Sequence, residues 1–274
     1  MTEIWEFTDD RGQLASAGQR PTRVVAYIQA GATLWDHGLR PLGIFGSYHD
    51  GEAPDRAKAG TLPVGDVTYF GAGGAFDPDR LLAAGTDLVV AVSYGGGQVY
   101  GIAPDAAKRL EEQVPVVVLD VGQGRSLDEI RARFAELAAS LGGAEPPVAL
   151  DAARERLRTV AAKAPVLALS PAGDDQVHLA RPHAWPDLRA LAELGVRLLD
   201  PPAEGGANWS TVTWREAAAL APRVVLADTR TNASPLDPAH LGNAQVLPWN
   251  PELPASGAAQ AGLFGGLAEA LAAT

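Results

Sequence analysis

Aromatic and guanidinium side chains follow the ends of several apolar runs in this sequence. In the first half, the run DLVVAVS is followed by YGGGQVYG, which places Tyr94 and Tyr100 on either side of three glycines. In the second half, four of the six tryptophans come after Pro182. Aromatic faces beside a few guanidinium groups suit a bulky organic ligand. The predicted ligand-binding residues are Tyr48, Tyr94, Tyr100, Arg181, Trp185, Trp209, Arg230 and Trp249.

A nucleotide phosphate is the first alternative for the glycine run, because glycine-rich turns after buried strands often bind phosphates. A dinucleotide fingerprint requires G-x-G-x-x-G leading into a helix, and a P-loop requires Lys followed by Ser or Thr. Here Gln98, Val99 and Tyr100 follow Gly97, and the next lysine is Lys108. The missing motif residues disfavour phosphate binding.

Catalytic and metal sites are also disfavoured. The sequence contains no G-x-S-x-G elbow, and the serines at predicted strand ends have no defined His or Asp partner. His49, His178 and His183 are candidate zinc ligands, but HLARPHAW lacks the i, i+4 spacing of H-E-x-x-H sites, so hydrogen-bonded histidines are the favoured interpretation. We predict no catalytic residue, no cofactor, no metal site and no enzymatic activity.

The composition narrows the class of partner. The 274 residues are 47% hydrophobic, so a sizeable core is available. The net charge of −11 disfavours nucleic acid and anionic membranes, both of which require clustered Lys and Arg. The absence of cysteine excludes disulfides and thiolate chemistry. The predicted partner is a small molecule, and the predicted state is a monomer.

Apolar strands alternate with helical segments along the whole chain. Strands over 23–29, 41–46, 67–71, 87–93 and 114–120, with helices between them, predict a parallel sheet covered on both faces. The alternation begins again after Pro165, with strands over 166–170, 176–180, 196–200, 223–228 and 244–249. The prediction is an α/β fold with two Rossmann-like lobes joined by a single long helix. The predicted segments are an N-terminal arm (1–19), an N-terminal lobe (20–145), the linking helix (146–165) and a C-terminal lobe (166–274).

Three stretches resemble the class III periplasmic substrate-binding proteins of ABC transporters, the iron–siderophore and cobalamin type. RPTRVVAYIQAGATLWDHGLRPLGIFG is similar to that family's entry strand, helix and Pro-x-Gly turn. FDPDRLLAAGTDLVVA resembles its leucine-rich helix and following strand, with Gly85-Thr86 replacing the usual Lys-Pro, and NWSTVTWREAAALAPRVVLAD resembles the second-lobe counterpart. The resemblance covers nearly the whole chain from Arg20.

The resemblance implies a binding protein with a ferric siderophore or similar chelate held in a cleft between the lobes. It also implies a membrane permease as partner, contacted by one acidic residue on each lobe. The matching positions are Asp79, a methylene shorter than the usual Glu, and Glu216. The expected location is extracytoplasmic if a leader has been removed. The alternative is a leaderless cytoplasmic carrier or enzyme on the same fold, acting on a natural-product small molecule, if Met1 is the native start.

Overall fold

The computed structural model describes residues 4–122, 124–202 and 205–274, which form two α/β units. The first unit extends to Pro147 and also contains Glu252–Ser256, whereas the second contains Val148–Pro251 and Gly257–Thr274. The predicted fold class is confirmed. The predicted C-terminal lobe had included Glu252–Ser256, which here belong to the first unit.

The first unit begins with a hairpin and continues as a five-stranded parallel sheet. The hairpin consists of β1 (Trp5–Thr8) and β2 (Leu14–Ala17). The sheet strands are β3 (Val24–Tyr27), β4 (Gly43–Gly46), β5 (Thr68–Ala72), β6 (Leu88–Ser93) and β7 (Val116–Asp120), in the spatial order β5-β4-β3-β6-β7. The helices are α1 (Ile28–Asp36), α2 (Pro78–Ala83), α3 (Pro104–Glu111) and α4 (Leu127–Ser140).

The N-terminal hairpin covers the edge of the first sheet. The carboxylates of Asp9 and Asp10 accept hydrogen bonds from the backbone N–H groups of Val118 (3.1 Å) and Asp120 (2.8 Å) on the edge strand β7. Trp5 is buried and its Nε1 donates to Ser140 Oγ at 3.2 Å. Because an open strand edge is a template for unwanted pairing, these contacts protect the sheet.

The second unit contains a mixed five-stranded sheet. In chain order its elements are α5 (Leu150–Val160), β8 (Val166–Pro171), β9 (Gln176–Ala180), α6 (Pro186–Glu193), β10 (Trp209–Thr213), α7 (Trp214–Ala219), β11 (Val224–Asp228), β12 (Gln245–Trp249) and α8 (Gly257–Ala273). The spatial order is β10-β9-β8-β11-β12. Strands β8, β11 and β12 are parallel, whereas β9 is antiparallel to both of its neighbours.

Two local predictions differ from the structure, and one strand of the second sheet was missed. The linking helix predicted over 146–165 is the shorter helix α5, which packs on α8 through Arg154, whose guanidinium lies over the Phe264 ring. The strand predicted over 196–200 is a single bridge between Leu198 and Val166, because Pro201 and Pro202 follow and cannot donate to a ladder. Strand β10 was not predicted.

Candidate functional site

A stack of three tyrosines lies in the first unit, and we call Tyr27, Tyr100 and Tyr94 the tyrosine stack. The Tyr27 and Tyr100 rings meet edge to face with centroids 5.5 Å apart, and the Tyr100 and Tyr94 rings do so at 4.7 Å. Tyr27 is fully buried, Tyr100 is half-buried and Tyr94 is 38% exposed. The stack therefore runs from the core of this unit to its surface.

The glycine run explains how two of these tyrosines meet. Tyr94 directly follows β6, and the backbone N–H of Tyr100 returns to the same strand by donating to Val92 O at 2.9 Å. The three intervening glycines all have positive φ, between 70° and 92°, a conformation that other residues adopt only with strain. The run is thus a tight reversal that brings two aromatic rings together.

A group of buried charges lies beside the base of the stack. The ammonium of Lys58 is 2.7 Å from Asp50 Oδ1 and 3.1 Å from Glu252 Oε1, and all three side chains are at most 2% exposed. We call Lys58, Asp50 and Glu252 the buried ionic cluster. Lys58 Nζ also lies 3.4 Å from both Ser47 Oγ and Tyr27 Oη. Complete burial of a lysine requires such pairing, since an unpaired buried charge is very costly.

Tyr27 connects the buried ionic cluster to the tyrosine stack. Its hydroxyl donates a hydrogen bond to Glu252 Oε2, and its ring packs against Tyr100. Burial, followed by the neighbouring Glu252 carboxylate, raises the pKa of the Tyr27 hydroxyl well above its ordinary value. Tyr27 therefore remains a neutral hydrogen-bond donor at physiological pH.

The second unit contains three tryptophans whose rings meet, and we call Trp185, Trp209 and Trp249 the tryptophan cluster. The ring centroids are 5.1 Å apart for Trp185 and Trp209, 6.1 Å for Trp185 and Trp249, and 6.0 Å for Trp209 and Trp249. Trp185 and Trp249 are 8% and 2% exposed, whereas Trp209 is half-buried. Trp209 is thus the member with the most accessible ring.

Distant elements supply these tryptophans. Trp209 begins β10 and Trp249 ends β12, the two edge strands of the second sheet, and Trp185 immediately precedes α6. Trp185 Nε1 donates to Asn208 O at 3.3 Å, and Trp249 Nε1 donates to the buried carboxyl of Asp187 at 2.6 Å. Burial raises the pKa of Asp187 to about 6, and the Trp249 hydrogen bond offsets this only in part.

The two predicted ligand-binding arginines have partners within the chain. Arg230 forms an ion pair with Asp228, with 2.8 Å between Arg230 Nη2 and Asp228 Oδ2, and the same oxygen accepts a bond from Ser170 Oγ at 2.9 Å. Arg181 is 8% exposed and donates to Gly206 O at 2.8 Å and to a second backbone carbonyl, Pro202 O, at 3.1 Å. Both guanidinium groups stabilise their own surroundings, and a direct ligand contact for either stays a prediction.

The remaining predicted residues lie on exposed parts of the units. Tyr48 follows β4 and is 60% exposed. Asp79 lies in the first turn of α2 and forms a surface ion pair with Arg109 at 2.5 Å. Glu216 closes a capping box at the start of α7, and the hydrogen bonds from Thr213 lower its pKa. Contact of these two carboxylates with a permease stays a prediction.

The histidines considered as zinc ligands do not form a metal site in the described part of the chain. His178 Nδ1 lies 2.8 Å from Thr211 Oγ1, and its ring packs near Trp209 with centroids 6.4 Å apart. Within residues 4–122, 124–202 and 205–274, no three His, Cys, Asp or Glu side chains come together as a metal site. No described helix is both long enough and apolar enough to cross a bilayer.

Sequence reasoning missed Lys58, Asp50, Glu252 and Asp187. Asp50 and Lys58 fall in SYHDGEAPDRAKAG, whose composition is that of a solvated loop, and Glu252 falls in the proline-rich stretch PELPAS. Nothing local marks these charges as buried. Asp187 lies in the first turn of a predicted helix, where a carboxylate is common because it interacts favourably with the helix dipole. Its position in the sequence therefore does not indicate that it is buried.

Comparison with solved structures shows which proteins this chain resembles. The chain resembles DesE, a ferric-siderophore receptor protein from Streptomyces coelicolor, with a TM-score of 0.85, 25% identity and 97% of each chain covered. It also resembles the siderophore periplasmic binding protein from the fuscachelin gene cluster of Thermobifida fusca (TM-score 0.66, 17% identity, 93% of this chain and 98% of that chain). No family model matches the chain, and no curated protein sequence matches it.

A further similar structure carries an iron chelate. This is the siderophore binding protein FhuD from Vibrio cholerae bound to Fe3+-Desferal, with a TM-score of 0.61, 17% identity and coverage of 91% of this chain and 97% of that chain. The predicted resemblance to class III substrate-binding proteins is confirmed. These similar structures are receptor and binding proteins, which supports a binding role for this chain and not an enzymatic one.

Proposed function

We propose that this protein binds a ferric siderophore and delivers it to an ABC-type permease for uptake. The observation that carries the proposal is that each unit of this substrate-binding fold has an aromatic cluster that reaches the surface, with Tyr94 the most accessible ring in the first and Trp209 in the second. Accessible aromatic rings supported by buried ones are rigid contact surfaces for a bulky ligand. Because the chelator fills the iron's coordination sphere, the protein needs no iron ligand of its own.

The charges near the aromatic clusters favour a particular class of chelate. Arg230 is paired with Asp228, and Lys58 is paired with Asp50 and Glu252. The chain as a whole carries a net charge of −11. A highly anionic tris-catecholate would have to compete for cations that already have partners, against an unfavourable long-range field. The proposed ligand is therefore a neutral or cationic ferric hydroxamate held mainly by aromatic contacts.

Replacing Trp209 by Ala is expected to weaken binding of ferric Desferal by roughly tenfold to a hundredfold. The reason is that the accessible ring is lost while the two buried tryptophans beneath it remain. Isothermal titration calorimetry measures the affinity, and quenching of the remaining tryptophan fluorescence checks it. A tris-catecholate iron complex, titrated in parallel, is expected to bind the parent more weakly.

The matched control is Trp35→Ala, since Trp35 is also half-buried but lies on α1 in the first unit, outside both aromatic clusters. It is expected to leave the ferric Desferal affinity within about twofold of the parent. If the parent shows no binding to ferric hydroxamates or to catecholates, the proposed function is wrong. If it prefers the catecholate, only the proposed ligand class is wrong.

The permease-docking proposal predicts a loss of transport without a loss of ligand binding. Asp79→Asn combined with Glu216→Gln is expected to abolish most siderophore-dependent iron uptake in cells that express the cognate permease. Gln at position 216 preserves the capping box, and the exposed pair between Asp79 and Arg109 contributes at most about 1 kcal/mol, so folding should be preserved. Normal uptake by the double variant would rule out docking through these carboxylates.

A further inference from the structure

Tyr27 is part of the tyrosine stack and also contacts the buried ionic cluster. Its ring packs against Phe45 with centroids 5.8 Å apart and, on the way to the surface, against Tyr100 at 5.5 Å. Its hydroxyl donates to Glu252 and lies 3.4 Å from Lys58 Nζ. The position of the ring and the position of the charges therefore depend on each other.

A buried ionic cluster gives little net stability compared with packed apolar side chains in its place. Charges lose their hydration on burial, so replacing a buried ion group by packed apolar side chains is often neutral or even stabilising. Here, however, the group lies directly beneath an aromatic series that reaches solvent. A hydrogen bond has a preferred distance and angle, whereas apolar contacts define the position of a ring through shape alone. A directional anchor at the base of the stack gives the accessible ring a defined position.

Glu252 is itself held firmly in the first unit. It begins the segment 252–256, which joins the first unit from the C-terminal part of the chain. Gln29 Nε2 donates to Leu253 O at 2.9 Å, the backbone N–H of Ala255 donates to Thr33 Oγ1 at 2.9 Å, and Ser256 Oγ donates to an Asp36 carboxylate oxygen at 2.6 Å. All of these partners lie on α1, which follows β3 without a break. The Glu252 carboxylate is thus a fixed point for the Tyr27 hydroxyl.

We propose that the buried ionic cluster is the positioning device of the first unit's ligand-contacting surface. Lys58 and Glu252 hold the Tyr27 hydroxyl, Tyr27 orients Tyr100, and Tyr100 orients Tyr94. Lys58, Glu252 and Tyr27 are positioning residues that act on the ligand through the two outer tyrosines. This inference rests on the proposed function only in so far as Tyr94 and Tyr100 contact a ligand.

The first test uses the ligand-free protein labelled with fluorotyrosine and observed by fluorine NMR. Removing one hydroxyl with Tyr27→Phe is expected to shift and broaden the signals of Tyr94 and Tyr100, because their rings lose a fixed neighbour. The control is Tyr48→Phe, which removes the hydroxyl of an exposed tyrosine outside the tyrosine stack and the buried ionic cluster; because the protein is ligand-free in this test, the predicted ligand contact of Tyr48 does not enter. The control is expected to leave the Tyr94 and Tyr100 signals unchanged. Unchanged signals in Tyr27→Phe as well would overturn the proposal.

The second test is a double-mutant cycle with ferric Desferal as the probe. Tyr27→Phe alone is expected to weaken binding by about threefold to tenfold, although it removes no ligand-contacting atom. In a Tyr94→Ala, Tyr100→Ala background the same change is expected to alter affinity by less than about twofold, because the residues through which it acts are gone. Equal losses in both backgrounds would show that Tyr27 does not act through the stack.

The two tests separate this inference from the proposed function. Perturbed NMR signals in Tyr27→Phe, with no binding of ferric Desferal by the parent, would support the positioning role and reject that ligand. Normal NMR signals together with normal binding by the parent would reject the positioning role alone. Lys58→Met tests the role of the cation. Its fluorine NMR spectrum is expected to show the same shifted and broadened Tyr94 and Tyr100 signals as that of Tyr27→Phe.

Discussion

Replacing Lys58 by Met is expected to lower the free energy of unfolding by about 3–5 kcal/mol. The change leaves Asp50 and Glu252 buried beside each other without the cation that both of them contact. Both carboxylates are at most 2% exposed in the parent, so the variant leaves them buried with hydrogen-bond donors but without a cation. Urea denaturation followed by circular dichroism measures the difference, from the shift in midpoint at a constant slope.

Lys163→Met is the matched control, because Lys163 is exposed three residues after α5 and makes no side-chain ion pair among the described residues. It is expected to change the free energy of unfolding by no more than about 0.5 kcal/mol. Adding Glu252→Gln to Lys58→Met should recover part of the loss, since it removes one of the stranded carboxylates and preserves an acceptor for Tyr27. A loss below about 1 kcal/mol in Lys58→Met would contradict the assignment of Lys58 as an essential partner.

Replacing Asp187 by Asn is expected to remove a pH dependence from the stability of the second unit. Burial raises the Asp187 pKa from 3.8 to about 6, so the folded state binds this proton more tightly than the unfolded state does. Stability contributed by the protonated carboxyl is present below the unfolded pKa and is lost as the pH rises through the folded pKa. The variant has no such loss. As the pH rises from about 4 to about 7.5, its free energy of unfolding should therefore increase by about 2–3 kcal/mol relative to that of the parent.

The measurement is the free energy of unfolding of parent and variant across this pH range. Any other group that titrates there is shared by both proteins and cancels in the difference. Asn preserves an oxygen that accepts the hydrogen bond from Trp249 Nε1, so the tryptophan cluster should stay intact. Asp175→Asn is the control, because Asp175 is exposed in the same unit. Its free energy of unfolding, plotted against pH, should run parallel to that of the parent. A parallel curve for Asp187→Asn would show that this carboxyl is not the source of the dependence.

Most of the architecture is predictable from the sequence because it depends on local patterns. The β-branched run LVVAVS is typical of a strand buried on both faces, and it forms β6. Asp77-Pro78 and Ser126 mark helix starts, and the structure shows both as capped. Strand β10 escaped prediction because WSTVT alternates weakly and lies at an edge, where one row of backbone groups needs no partner.

The aromatic residues of the candidate site were also predictable as a set, although their arrangement was not. Residue type and position near the ends of predicted strands indicate five aromatic residues of the site: Tyr94, Tyr100, Trp185, Trp209 and Trp249. Residue type indicates that such rings suit a bulky ligand. It does not indicate which ring is accessible, because exposure depends on the neighbours that the fold supplies.

The sequence by itself indicated the two α/β units, most of their strands and helices in order, an acidic charge that disfavours nucleic acid, and the aromatic character of the candidate surfaces. Only the tertiary structure decided which charges are buried and which residues support the rings. Tyr27 and Glu252 are 225 positions apart, yet they share a hydrogen bond, and Trp209 and Trp249 meet although their strands lie at opposite edges of a sheet. Hydrophobic periodicity is a property of neighbouring residues, whereas the pairing of a buried charge is a property of the packed fold. For that reason Lys58 is an unremarkable loop residue in the sequence and the centre of the buried ionic cluster in the structure.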